Sequence, residues 1–398
     1  MKNILTSLFF ILSVSIAWSQ SASPKVMRKL IDENMNFAAA QYQLLEKNVQ
    51  DTMMPKTFDS ATNKVIVSNT KWWCSGFFPG TLWYLYEYTK NESIRKIAEK
   101  RLAILEREKF YTGNHDLGFM IFCSFGNAYR ITQNPAYKEV IFQAAASLST
   151  RYRPSIQSIQ SWNANKKFRC PVIIDNMMNL ELLHWVTDQG GESRFREIAE
   201  NHTRSTIKNH FRPDHSSYHV VDYDLATGTM IGQKTAQGYS DASAWARGQS
   251  WGLYGFTAMY RFTKNPVYLE KAQHIARFML DHPNLPADKI PYWDFDAPNI
   301  PQAKRDASAG AVMASALLEL AQYVAAKDRQ EYIQVAETIL QNLSTPQYRA
   351  PQGGQGGFLL MHSVGHLPGN SEVDVPLTYA DYYFIEALLR YKNWYLKK

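Results

Sequence analysis

One helix-to-helix joint recurs along this chain. It reads Tyr86-Glu87-Tyr88-Thr89-Lys90-Asn91-Glu92, then Tyr129-Arg130-Ile131-Thr132-Gln133-Asn134-Pro135, then Tyr260-Arg261-Phe262-Thr263-Lys264-Asn265-Pro266. Each joint ends one helix, offers Asn as the cap of the next, and places Glu or Pro in its first turn. Trp185-Val186-Thr187-Asp188 and Tyr323-Val324-Ala325-Ala326 are weaker copies. The repeating unit is therefore an αα-hairpin, and such a chain must bury its helices against further copies of the same unit.

Helical periodicity extends the pattern to twelve helices. Amphipathic segments lie at Glu92–Phe110, Pro135–Tyr152, Glu192–His210, Pro266–Asp281 and Gln330–Leu343. Each follows a more apolar helix, at Phe77–Tyr88, Asp116–Ile131, Asp175–Val186, Ala242–Phe262 and Ala307–Ala325. Helices at Pro24–Lys47 and Thr378–Leu396 complete the set. The joints are irregularly spaced, unlike the short fixed period of helical solenoids. Long connections, at about 48–74, 152–173, 211–240, 282–306 and 344–377, instead suit an all-α closed toroid, an (α/α)6 barrel of six hairpins. The apolar helices then form an inner ring, and the loops before them gather at one mouth. Within 211–240, Tyr218–Tyr223 and Thr229–Gln233 read as a short β-hairpin around Ala226-Thr227-Gly228. Gly353-Gly354-Gln355-Gly356-Gly357 reads as a flexible loop and not as a phosphate-binding fingerprint.

Composition narrows the function classes. The formal charge is +7, spread along the chain, which argues against a nucleic-acid partner and suits mild attraction of a small anion. Lys2, the apolar run Leu5–Ala17 and Ala17-Trp18-Ser19 resemble a secretory signal. Residues 1–19 are thus expected to be removed, leaving 20–398 as a single exported, periplasmic catalytic domain of charge +6, without a membrane anchor. Cys74, Cys123 and Cys170 are too few for a disulfide framework and read as buried thiols. No metal-ligand spacing occurs, so neither metal nor cofactor is expected. Aromatic residues reach 13%, enough to supply stacking platforms as well as core.

The chemistry-bearing residues fall at the expected mouth. Asp116 and Asp175 each sit in strongly apolar surroundings, where desolvation raises a carboxyl pKa and a second carboxylate raises it further. Two such acids suit attack on a glycosidic or enol-ether linkage. Taken singly, each reads as a helix N-cap. Around them lie the aromatic wall Trp72-Trp73, then His115, Asn176, His219 and Gln237. Arg247 and Trp251 stand four residues apart on one helical face. A buried Arg247 needs a partner, either Asp241 or Asp306 or the carboxylate of a substrate. A lone His219 is more often a hydrogen-bonded core residue than a catalyst, and some of the four tryptophans must be core.

In order along the chain stand Trp73-Cys74-Ser75-Gly76-Phe77, His115-Asp116-Leu117-Gly118-Phe119 and Ile174-Asp175-Asn176-Met177-Met178-Asn179. Ala244-Trp245-Ala246-Arg247-Gly248-Gln249-Ser250-Trp251-Gly252 and Arg305-Asp306-Ala307-Ser308-Ala309 follow. Together these segments resemble the unsaturated glucuronyl hydrolases, glycoside hydrolase family 88, from about Trp72 to Glu386. The resemblance implies an (α/α)6 barrel. It implies a substrate left by a polysaccharide lyase, a glycosaminoglycan-type oligosaccharide ending in a Δ4,5-unsaturated uronic acid. It also implies that the vinyl ether is hydrated, with Asp175 protonating C4 and activating the water that adds at C5. Asp116 would hold the sugar hydroxyls and help keep Asp175 protonated. His115, His219, Gln237, Arg247 and Trp251 match residues around the unsaturated ring, with Trp72 or Trp73 as a stacking wall. Ser363 and His366 match a loop that contacts the next sugar.

Three other readings stand beside it, one of them an ordinary inverting glycosidase on a similar barrel, active on saturated substrates. An unsaturated rhamnogalacturonyl hydrolase shares the barrel and acts on pectin fragments. A non-catalytic sugar-binding barrel would need neither acid.

Overall fold

The computed structural model describes residues 22–396; the expected signal sequence lies outside them. Twelve α-helices occur among the described residues. The outer ones are α1 (Pro24–Lys47), α3 (Glu92–Leu105), α5 (Pro135–Ser149), α7 (Arg194–Asn209), α9 (Pro266–Asp281) and α11 (Ala326–Leu343). The inner ones are α2 (Phe77–Thr89), α4 (Asn127–Thr132), α6 (Leu180–Asp188), α8 (Ala246–Thr263), α10 (Ala307–Leu320) and α12 (Thr378–Tyr395). A π-helical stretch, Gly118–Gly126, leads into α4, and a 3-10 turn, Ile174–Met178, precedes α6. The ring closes: α2 packs on the π-helical stretch, which packs on α6, then α8, α10 and α12 follow, and α12 returns to α2.

Burial follows the ring. Every residue of α10 is buried, as is Ala246–Met259 of α8. On outer α9 only Tyr268, Ala272, Ile275, Ala276 and Met279 are, one stripe facing inward. The joints explain how the chain reverses. Lys90, Gln133 and Lys264 close α2, α4 and α8 in the left-handed region, with φ of 55°, 56° and 56°. Asn91, Asn134 and Asn265 then cap the next helix, accepting the N–H of Ser93, Ala136 and Val267. Each such cap contributes about 1 kcal/mol.

The long connections carry small antiparallel sheets. They are β1 (Met54–Asp59) with β2 (Lys64–Ser68), β3 (Tyr152–Arg153) with β4 (Ser158–Ile159), and β8 (Ser363–His366) with β9 (Ser371–Val375). The expected hairpin is β6 (Val220–Asp224) with β7 (Thr229–Lys234), and β5 (Pro171–Ile173) joins it as a third strand. The glycine-rich loop is pinned to α1, not loose. Gln41 accepts the Gly353 N–H at 2.8 Å and donates to the Gly354 and Phe358 carbonyls. A Cβ at Gly357 would stand 2.5 Å from the Leu45 nitrogen, so only glycine fits there.

Expectations about helix bounds and caps need correction. The inner helices expected from Asp116, Asp175 and Ala242 begin later, and the one expected to reach Ala325 ends at Leu320. Neither acid-bearing start has a side-chain cap, so the Asp116 and Asp175 carboxyls are not spent on helix N–H groups.

Candidate active site

Both acids lie on the turns that lead into inner helices, and glycine brings those turns together. A Cβ at Gly118 would stand 2.6 Å from the Asn179 Cα. The Asn179 Oδ1 in turn accepts the Phe119 N–H at 3.1 Å. The turn after Asp116 is thereby fastened to the turn after Asp175. Gly76 makes a third close approach, its absent Cβ leaving room for the Phe119 and Met120 carbonyls. This brings the Trp72–Gly76 segment against the same turn.

The Asp175 carboxyl is buried, and its Oδ2 has no hydrogen-bond partner. Burial pushes its pKa up to about 7, against the opposing pull of the Arg247 guanidinium. The Trp251 indole N–H also favours the carboxylate, without completing a hydrogen bond to it. Burial raises Asp116 well above the ordinary carboxyl range, the Asp175 charge raises it further, and Arg151 opposes both. The Asp175 charge thus helps hold the Asp116 proton, whereas burial is what raises Asp175. The expectation that Asp116 keeps Asp175 protonated is corrected accordingly.

Two neutral histidines flank the acids. His115 Nε2 is 3.2 Å from Asp116 Oδ1, and burial pushes His115 down to about 3. His219 Nε2 is 3.7 Å from Asp175 Oδ2, and burial, then Arg247, holds its pKa well below the usual value. His219 Nδ1 accepts the backbone N–H groups of Ala236 and Gln237, each at 3.1 Å. An acceptor Nδ1 leaves the proton of the neutral ring on Nε2, the nitrogen that faces Asp175. Asn176 is fixed by donating to the Ile159 carbonyl at 2.8 Å.

Arg247 finds its partner in Asp306, at 3.1 Å. Its Nη1 also donates to the Val364 carbonyl, and its Nη2 to the Gly365 carbonyl at 2.7 Å. Both terminal nitrogens are engaged within the protein, while Nε has no partner. The guanidinium lies 4.4 Å from the Trp245 ring centre, whose ring also packs on His219. The β8 segment is drawn over the site by the Gln237 side chain, which donates to the Gly365 carbonyl, and by His366 Nε2, which pairs with the Ala236 carbonyl. Ser363 is buried, with its hydroxyl unpartnered.

Trp251 is fully buried against Phe119, Tyr379 and Tyr383. Trp73 is half-buried, packed on Phe77, Phe119 and Tyr379. Trp72 is half-buried, with the Lys56 ammonium 4.4 Å from its ring centre.

Sequence reasoning missed Arg151, which is buried at the end of α5. It donates to the Gln160 and Thr112 carbonyls and so ties the loop before His115 to the loop before Asp175. Nothing in an outer-helix terminus marks such a role. A cavity of about 640 Å³ opens at the opposite end of the barrel, beside Glu87, Arg130, Glu181 and Arg261. There Arg130 pairs with Glu87 and Arg261 with Glu181, each at 2.6 Å. That cavity is lined by neither Asp116 nor Asp175, so the acids' own mouth is the candidate active site. Among the described residues no cluster of His, Cys, Asp and Glu suits a metal ion, and no helix is long and apolar enough to cross a membrane.

Known proteins share this fold. The model of Glycosyl Hydrolase Family 88 matches residues 45–347. An unsaturated glucuronyl hydrolase of Formosa agariphila is 41% identical, over 90% of this chain and 91% of its own length. The crystal structure of an unsaturated glucuronyl hydrolase specific for heparin is 43% identical, with a TM-score of 0.89, over 92% of this chain and 97% of that one. An unsaturated glucuronyl hydrolase variant from Streptococcus agalactiae, solved in complex with dGlcA-GalNAc6S, is 29% identical with a TM-score of 0.80, over 94% of each chain. The chain is a six-hairpin helical barrel, a hydrolase, and belongs to glycosyl hydrolase family 88.

Proposed function

We propose that this protein releases the Δ4,5-unsaturated uronic acid from lyase-generated glycosaminoglycan-type disaccharides and oligosaccharides by hydrating the vinyl ether. The observation that carries this reading is the Asp175 carboxyl, buried, raised to about 7 and unpartnered at Oδ2. An acid poised near the working pH gives and takes a proton with little penalty in either direction. Asp175 donates its proton to C4 of the double bond, leaving positive charge at C5. As a carboxylate it then takes a proton from the water whose oxygen bonds to C5. The hemiketal so formed collapses, the bond from C5 to the ring oxygen breaks, and the sugar leaves from C1.

The neighbours support these steps. Asp116, whose proton is held by burial and by the charge of Asp175, offers hydroxyl and carbonyl to the sugar hydroxyls. Neutral His219 presents Nε2–H beside Asp175 Oδ2, where it steadies the carboxylate and the incoming water. Arg247 Nε and the Trp251 indole N–H are buried donors without partners, available to the uronate carboxylate. The half-buried ring of His366 is the candidate for contact with the next sugar, whereas Ser363, fully buried under the hairpin, does not reach it. Lys2 and the apolar run Leu5–Ala17 support export to the periplasm; N-terminal sequencing of the protein recovered from a periplasmic fraction tests that, with Gln20 or a close neighbour expected first.

The experiment for the reaction is Asp175→Asn. The variant should lose turnover while still binding an unsaturated disaccharide, measured by calorimetry. Undiminished turnover would remove Asp175 from the reaction.

A further inference from the structure

Glu372, on β9, occupies a costly position that the proposed reaction does not use. Its backbone lies in the left-handed region, with φ of 55°, where a side chain costs on the order of 1–2 kcal/mol. Its carboxylate is largely buried, and Oε1 has no hydrogen-bond partner. The nearest cation, Lys56 Nζ, is 3.8 Å from that oxygen, too far for a hydrogen bond. Burial accordingly raises the Glu372 pKa, against Lys56 and Arg247. Glycine would relieve the backbone there, and an apolar side chain would suit the burial.

The surroundings are built to keep the glutamate there. A Cβ at Gly365, across the hairpin, would stand 2.7 Å from the Glu372 Cβ and 3.0 Å from its Oε2. Gly365 thus makes the space over which the side chain lies. The Gly365 carbonyl is itself held by Arg247 and Gln237, two residues of the candidate site. On the other side, Lys56 reaches from β1 to lie over the ring of half-buried Trp72. An unpartnered acceptor, an ammonium and an indole face are thereby gathered at the edge of the acid pocket. Strain and an unsatisfied buried charge persist where function requires them.

We propose that Glu372, Lys56 and Trp72 form the subsite for the sugar that follows the unsaturated uronic acid, in which Glu372 accepts a hydrogen bond from a free hydroxyl of that sugar and a sulfate ester at the same hydroxyl is disfavoured. This rests on the reaction proposed above. The chemistry matches: a pyranose presents a flat face to an indole, donors to a carboxylate and acceptors to an ammonium. A sulfate beside the carboxylate would add like-charge repulsion and leave Glu372 without its donor.

The test compares Glu372→Gln and Glu372→Ala with the unaltered enzyme. Substrates are unsaturated glucuronyl disaccharides that are unsulfated, 4-sulfated or 6-sulfated on the second sugar, and the methyl glycoside of the unsaturated uronic acid, which has no second sugar. For Glu372→Ala, kcat/KM on the unsulfated disaccharide relative to the methyl glycoside should fall at least fivefold, mainly through KM. For Glu372→Gln, the preference for unsulfated over at least one sulfated isomer should fall at least fivefold. Equal losses on disaccharide and methyl glycoside would show a merely structural residue and overturn the subsite, as would sulfation preferences unchanged within fivefold. Failure of the unaltered enzyme on all four substrates would instead overturn the reaction itself.

Discussion

His219 Nε2 lies 3.7 Å from Asp175 Oδ2, and the ring's other nitrogen is occupied by two backbone N–H groups. The backbone at Ala236 and Gln237 therefore decides which nitrogen carries the proton, and directs it at the acid. Because burial keeps the ring neutral, His219 acts as an uncharged donor. His219→Ala should lower kcat about 10²-fold, the scale of losing one oriented donor to a developing charge. The pH–rate profile of the unaltered enzyme should show no limb belonging to a histidine near 6.5. Steady-state kinetics across pH checks both, and a histidine limb lost in the variant would contradict the neutral ring.

Gly118 and Asn179 test whether the two acids must be held in register. A methyl at Gly118 would meet the Asn179 Cα at 2.6 Å, a backbone atom that cannot swing away. Gly118→Ala should cost about 1–3 kcal/mol of stability and lower turnover more than tenfold by parting the two turns. Denaturant melts alongside kcat measure the two effects. Unaltered kinetics would mean the acids tolerate displacement.

Arg247 and Asp306 form a fully buried pair. Removing either alone, as Arg247→Met or Asp306→Asn, leaves an uncompensated charge or donor and should cost on the order of 3–5 kcal/mol. The double variant should cost clearly less than the sum, with coupling of about 1–3 kcal/mol. Additive losses in denaturant unfolding would show that the pair is not the unit that matters.

The hairpin repeat was the most legible part of the molecule, because Asn caps and Pro at the first helical turn are local chemistry. The three strong joints form with the expected capping asparagines, and the left-handed Lys90, Gln133 and Lys264 just before them. The hairpin tip Pro368-Gly369-Asn370 carried a turn signal for β8 and β9 that helical counting passed over. The acids were visible as motifs, but their freedom from capping was not, since it depends on where each helix begins. Arg151 and Glu372 were not legible. One acts from the far end of an outer helix, the other from a strand whose backbone strain only coordinates reveal.

The elevated pKa of Asp175 has a cost in stability, with a definite sign. Its folded value, about 7, exceeds the ordinary 3.8, so the folded state holds the proton more tightly than the unfolded one. That contribution is whole below about pH 4 and is lost as pH rises to about 7. Asp175→Asn escapes the loss. In thermal melts the variant should match the unaltered protein at pH 4 and exceed it by a few degrees at pH 8. The reverse order would mean that Asp175 is stabilised as a carboxylate, not as an acid.

The central claim is that a double bond is hydrated, not that an ordinary glycosidic bond is displaced. The direct measurement follows the ultraviolet absorbance of the double bond for an unsaturated glucuronyl glycosaminoglycan disaccharide, with an unsaturated rhamnogalacturonan disaccharide and a saturated disaccharide of the same linkage in parallel. The unsaturated glycosaminoglycan disaccharide should lose its absorbance as its second sugar is released, and the saturated one should remain intact. Cleavage of the saturated disaccharide at a comparable rate would contradict hydration, and loss of absorbance confined to the rhamnogalacturonan disaccharide would move the substrate to pectin fragments.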